Sequence, residues 1–354
     1  VKQTNLVNKV AALILMSAFT FKTSTMSAQT ITPLDPDKDP AIETRVKGFL
    51  HALNTSGGKP LETLSPKDAR AVLTGAQESV KVDLSGIETT EKTITADGLT
   101  IKLDIVRPAG VKGELPAFMF FHGGGWVLGD FPTHKRLVRD LVVHSGAVAV
   151  FVNYTPSPEA KYPVAINQDY AATKWVAEHG KEINVDGKKL GVAGNSVGGN
   201  MTAVVALMAK DKKGPELKFQ LMLWPVTDAN FETNSYNKYA TDRFLTKSMM
   251  IWFWDSYLPE AGKRKEIYAS PLQASLEQLK GLPPALVMVA GNDVLHDEGA
   301  AYARKLDEAG VSTTLVEYST TIHDWGLLNP LATVPSTQES LIHAASFIKS
   351  QFKK

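Results

Sequence analysis

Leu190-Gly191-Val192-Ala193-Gly194-Asn195-Ser196-Val197-Gly198-Gly199-Asn200 decides how the rest of the chain is read. Residues 190–193 form a short apolar run, as a buried strand does, and Ala203, Val204 and Leu207 then recur at helical spacing. Between them stands Gly194-x-Ser196-x-Gly198, a serine on a sharp strand-to-helix turn. Such a turn exposes the hydroxyl, and it crowds the backbone so closely that glycine is wanted two residues to either side. A serine attacks a carbonyl only when it is exposed and beside a base, so Ser196 is the candidate nucleophile. The pentapeptide alone is a weak sign, since a glycine-rich turn can also serve helix packing or bind a phosphate at a helix start.

Upstream, the apolar run Phe118-Met119-Phe120-Phe121 leads straight into His122-Gly123-Gly124-Gly125-Trp126. Consecutive glycines let backbone N–H groups converge on one point with no side chain in the way, as a tetrahedral oxyanion requires. Downstream, an acid and then a histidine are expected in that order. Asp293 follows the apolar run 285–289, and His323 follows the alternating run 313–318. Both fall at the sheet edge where Ser196 emerges. His323 is then the general base, and Asp293 fixes its tautomer and stabilises its cation. Asp297 and Glu298 compete for the acid role, but they open a helix and suit its cap and dipole. His296 precedes that helix and follows no later strand.

Further outward, apolar runs at 117–121, 147–152, 190–193, 219–224, 285–289 and 313–318 alternate with helical stretches near 133–145, 163–179, 198–210, 297–309 and 337–352. That rhythm predicts an α/β domain with a mostly parallel sheet and helices on both faces. Two earlier strands, 91–95 and 99–106, meet at the turn Asp97-Gly98. Before them, Ala41, Val46, Phe49, Leu50 and Leu53 predict one amphipathic helix, and Ser65-Pro66 opens a second. One interval breaks the alternation. About sixty residues separate the strand ending near 225 from the next, far beyond an ordinary loop. It carries Trp252, Phe253, Trp254 and Tyr257 at helix-like spacing, and reads as an inserted cap lying with the N-terminal helices over the sheet. These aromatics and Trp126 are candidates for an apolar substrate pocket, or equally for core packing between cap and sheet.

With these motifs together, the sequence resembles the hormone-sensitive-lipase-like branch of the α/β-hydrolases, the bacterial family IV esterases. The likeness runs from about residue 40 to the C-terminus. It rests on His122 to Trp126 with Gly129-Asp130, on Tyr154-Thr155-Pro156-Ser157-Pro158-Glu159, on Gly194 to Gly199, on Asp293-Val294-Leu295 with Asp297-Glu298-Gly299, and on His323. It implies the α/β-hydrolase fold with an eight-stranded sheet, a helical cap drawn from about 35–85 and 226–270, and no cofactor. It also implies that the N–H groups of Gly124, Gly125 and Val197 form the oxyanion hole. Two departures stand out. The branch's usual elbow reads G-D-S-A-G-G where this chain has Asn195 and Val197, and a glycine often follows the histidine where this chain has Asp324.

Composition narrows the function. The 354 residues carry 38 Lys+Arg against 37 Asp+Glu, so charge implies no nucleic-acid partner. No cysteine is present, which excludes thiolate catalysis, disulfides and a lipid anchor on cysteine. No H-E-x-x-H or comparable spacing suggests a metal. Lys2 and Lys9, the apolar run 10–21 and the polar stretch through Ala28 read as a signal peptide over 1–30. The apolar run is too short to span a bilayer, so export without a membrane anchor is expected, with residues 31–354 as the catalytic domain. The expected activity is hydrolysis of short- to medium-chain carboxylic esters through an acyl-enzyme, with a small-molecule ester as substrate. An amidase or deacetylase would use the same three residues, and a ligand-binding homologue would keep the fold without the chemistry.

Overall fold

The computed structural model describes residues 34–353, and the signal-peptide reading of 1–30 lies outside the described residues. Eight strands follow in chain order: β1 (Ile87–Ala96), β2 (Leu99–Pro108), β3 (Leu115–Phe121), β4 (Val148–Asn153), β5 (Val185–Asn195), β6 (Gln220–Leu223), β7 (Ala285–Asn292) and β8 (Thr313–Ile322). They form one sheet in the order β1-β2-β4-β3-β5-β6-β7-β8. The β1–β2 and β2–β4 pairs are antiparallel, and every pair from β4 through β3 to β8 is parallel. Asp97 and Gly98, at φ of 50° and 77°, turn β1 into β2 with the twist that a two-residue hairpin prefers.

The helices are α1 (Thr44–Thr55), α2 (Pro66–Glu78), α3 (Phe131–Ser145), α4 (Val164–His179), α5 (Val197–Asp211), α6 (Asn234–Lys238), α7 (Lys247–Tyr257), α8 (Leu276–Leu279), α9 (His296–Glu308) and α10 (Pro335–Gln351). They cover both faces of the sheet, which explains the unbroken apolar strand runs. In β3, Met119 and Phe121 pack on the face of α4, α5 and α9, while Phe118 and Phe120 pack on the face of α3 and α10. Burying both faces puts the parallel strands at the centre, and their carboxyl ends all open to one edge.

At the N-terminus the expected apolar face is shorter than its pattern suggests. Glu43 caps the N–H groups of Arg45 and Val46, so α1 starts after Ala41, which stays outside the helix. Val46 and Leu50 are buried, whereas Leu53 is exposed. Ser65 caps α2 with Pro66 in its first turn. The long interval after β6 contributes α6 and α7. It meets the N-terminal arm at Arg243, whose guanidinium donates to Asp39 Oδ2 at 2.9 Å and to the Leu34 carbonyl at 2.7 Å. Both partners of this ion pair are buried.

Candidate active site

β5 ends at Asn195 and α5 begins at Val197, so Ser196 alone makes the turn. Its φ of 56° and ψ of −121° are costly for a residue with a Cβ, roughly 1–3 kcal/mol. Tertiary bonds hold it there: Ser196 N–H donates to Leu223 O at 2.9 Å, and its carbonyl accepts from Val226 N at 3.1 Å. A Cβ on Gly194 would overlap the Gly198 carbonyl, and one on Gly198 would overlap the carbonyl of Phe121. These collisions account for the glycines of the motif.

The loops after β7 and β8 deliver Asp293 and His323 to the same place. His323 Nε2 lies 3.0 Å from Ser196 Oγ, and its Nδ1 lies 2.7 Å from Asp293 Oδ2. Asp293 Oδ1 accepts the Leu295 N–H at 3.0 Å, which fixes the carboxylate's plane. With Asp293 accepting from Nδ1–H, Nε2 is left to accept the serine proton. All three side chains are buried. Burial by itself lowers the basicity of His323, but the charges of Asp293 and Asp324 outweigh it and hold the imidazole above its ordinary value.

The neighbouring acids have other uses. Glu298 does not project as a helix-dipole partner. Its carboxyl is buried, where Oε1 accepts the N–H groups of Thr227 and Asp228 at 2.7 and 3.2 Å, because this turn of α9 packs under the start of the long interval. Asp297 accepts from Ser235 N–H at 2.9 Å and faces His296. Leu295 stands at the cap position of α9, and no side chain caps the helix there.

Opposite the histidine runs the loop 122–130. Gly124 and Gly125 adopt φ of 105° and 63°, and a Cβ on Gly125 would lie inside the Phe253 ring. Among the described residues neither glycine's N–H donates to a protein group. Val197 opens α5, where backbone N–H groups lack helical partners, so its N–H adjoins Ser196 without a helical acceptor. A free N–H beside the nucleophile can stabilise the negative charge that develops on the oxygen of a carbonyl under attack.

Several residues that the sequence named only as motif members prove to be braces for this loop. Tyr154 donates to the His122 carbonyl at 3.0 Å and stacks on the His122 ring at 4.1 Å. Burial pushes His122 down to about 4, so it stays a neutral wedge whose Nδ1 lies 2.8 Å from Gly123 O. Ser157 N–H donates to Trp126 O at 2.7 Å. Asp130 caps α3. Arg70, on α2, grips Glu159 with two bonds of 2.8 and 2.7 Å and donates to Val127 O at 2.7 Å. Nothing local in the sequence marked Arg70, because its partners lie far along the chain.

The aromatic candidates divide. Trp126 stacks on Tyr257 at 4.1 Å and meets Trp254 edge-on at 4.9 Å, all three buried, so these pack the join between loop and α7. Phe253 alone abuts a glycine of the loop, and half-buried Trp252 leans on it at 5.0 Å. Sequence reasoning gave no role to Trp224, whose indole N–H donates to Asp324 at 2.6 Å beside the histidine.

Comparison with known proteins agrees with this architecture. A family described as alpha/beta hydrolase fold matches residues 118–327. A thermostable esterase from Pseudomonas putida ECU1011 superposes with a TM-score of 0.88 at 68% identity, covering 89% of this chain and 98% of its own. The same identity, coverages and score hold for a serine-to-alanine variant of the esterase rPPE solved with (S)-Ac-CPA. The carboxylesterase NlhH of Mycobacterium tuberculosis is 34% identical over 307 residues, 86% of this chain and 93% of that protein. Sheet order, elbow and sequence likeness converge, and the chain belongs to the hormone-sensitive-lipase-like esterases of the α/β-hydrolase superfamily.

Proposed function

We propose that the protein is a serine carboxylesterase acting on short- to medium-chain carboxylic esters. The observation that carries this reading is the unbroken chain from Ser196 Oγ through His323 to Asp293, and the N–H groups of Gly124, Gly125 and Val197 are the oxyanion donors of this reading. In the first half-reaction Ser196 Oγ bonds to the acyl carbon while its proton passes to His323 Nε2. The carbonyl π pair moves onto oxygen, and the three N–H groups receive that charge. The imidazolium then returns its proton to the alkoxide as the ester C–O bond breaks, leaving an acyl-serine and free alcohol. Water, deprotonated by the same nitrogen, attacks the acyl carbon, and Ser196 departs with its proton restored. Phe253 against Gly125 narrows the space beside the donors, which supports small acyl groups. The related esterases point the same way by name.

The test is initial rates on p-nitrophenyl esters from acetate to palmitate, for wild type and Ser196→Ala. Rates should fall with chain length, and the variant should lose roughly a millionfold in kcat. Full activity in Ser196→Ala would sink the reading. We also propose an extracytoplasmic location, on the strength of the segment 1–30. A mature exported protein that still begins at residue 1 would overturn that.

A further inference from the structure

Asn195 and Asp324, two of the residues that depart from the branch's usual pattern, touch each other. Asn195 Nδ2 donates to Asp324 Oδ1 at 3.1 Å, and its Oδ1 accepts the Gly123 N–H at 3.0 Å. The amide's orientation is forced, since Gly123 N–H only donates and a carboxylate only accepts. An aspartate at 195 would set one carboxylate against another. Asparagine is therefore what Asp324 requires, and the two residues read as a compensated pair. Trp224 completes the group with its 2.6 Å bond to the same Asp324 oxygen. The other oxygen, Oδ2, lies 3.8 Å from His323 Nε2, the nitrogen that faces Ser196.

We propose that Asp324 is a positioning residue of this site. Its carboxylate locks the elbow to the oxyanion loop through Asn195 and sets a second negative charge beside the histidine. The proposal rests on the serine-esterase reading above. Asp293 holds the Nδ1 side of the ring and Asp324 attends the Nε2 side, so the imidazolium formed during acyl transfer lies between two carboxylates. Burial pushes Glu298 on α9 and Tyr236 on α6, which both face Asp293, toward their neutral forms, with Asp228 adding to both shifts. Burial raises Asp324 itself, while His323 and the N–H donors of Asn195 and Trp224 oppose that rise.

Asp324→Asn tests the charge separately from the scaffold, because an amide oxygen still accepts from Asn195 and Trp224. The probe is the pH dependence of two rates: kcat/KM on p-nitrophenyl acetate, and covalent labelling of Ser196 by a p-nitrophenyl phosphonate read by intact mass. Asp324 favours the protonated ring, so the wild-type base becomes neutral only at higher pH. Removing the charge should shift the acid limb of both profiles down by about one pH unit. An acid limb that stays in place overturns the proposal. Asn195→Asp covers the scaffold. It should cost at least about tenfold in kcat/KM, and Asn195→Asp with Asp324→Gly should recover most of the loss while keeping the lowered limb. Absence of recovery overturns the pairing of the two residues. A wild type that the phosphonate never labels brings down the esterase reading and this inference with it.

Discussion

Two walls enclose Ser196, and they are built on opposite principles. The loop 122–130 works through shape: its glycines fit where a Cβ would collide, and the surrounding side chains hold the loop still. The wall formed by 292–298 and 322–325 works through charge, with Asp293 and Asp324 arranged about one imidazole. Damage should therefore differ in kind. An added methyl group ruins the first wall and an isosteric loss of charge ruins the second.

The largest expected effect that separates them is Asp293→Asn. It keeps the shape but presents the wrong partner to His323 Nδ1, and kcat should fall about ten-thousandfold with little change in KM. Steady-state kinetics on p-nitrophenyl acetate measure it, and a loss under tenfold would mean another acid serves the histidine. Gly125→Ala leaves every charge in place but drives a methyl group into Phe253 at a φ of 63°. Loss of one well-placed donor costs about 10²–10³ in kcat, and Gly125→Ala should fall in that range. Adding Phe253→Ala should return part of the activity if the collision is the cause. The smallest effect is expected for Arg70→Ala, which touches the loop only from outside. It should cost less than about tenfold in kcat and lower the melting temperature by a few degrees, since it removes hydrogen bonds to Val127 and Ser157. A catalytic loss as large as that of Gly125→Ala would move Arg70 into the site proper.

The same contrast explains what was legible from the chain. All eight strands are marked by local apolar runs or alternation, because central strands buried on both faces leave an unbroken apolar trace while the half-exposed β1 and β8 leave a period of two. The elbow and the glycine loop are legible because steric demands act within a few residues of each other. The start of α1 was misjudged because the Glu43 cap outweighed the apolar spacing that seemed to include Ala41. Glu298 stands in the first turn of α9 as its position predicts, but its bonds to Thr227 and Asp228 leave no local trace, because those partners belong to the long interval far upstream. Asn195 and Asp324 stand out as oddities, yet their bond joins residues 129 positions apart and no pattern in either segment announces it. Long-range polar pairing leaves no period behind in the sequence.

The buried pair of Arg243 and Asp39 sets a limit on how the chain can be shortened. Leu34 and Asp39 sit at the very start of the described residues, and the Leu34 carbonyl and the buried Asp39 carboxylate both accept from the Arg243 guanidinium. Trimming the protein to the first residue of α1, a natural choice for an expression fragment, would strand a guanidinium without its carboxylate. Breaking such a pair costs about 3–5 kcal/mol, a large share of an ordinary domain's stability. An N-terminal processing cut or fusion joint that keeps this ion pair must therefore fall before Asp39.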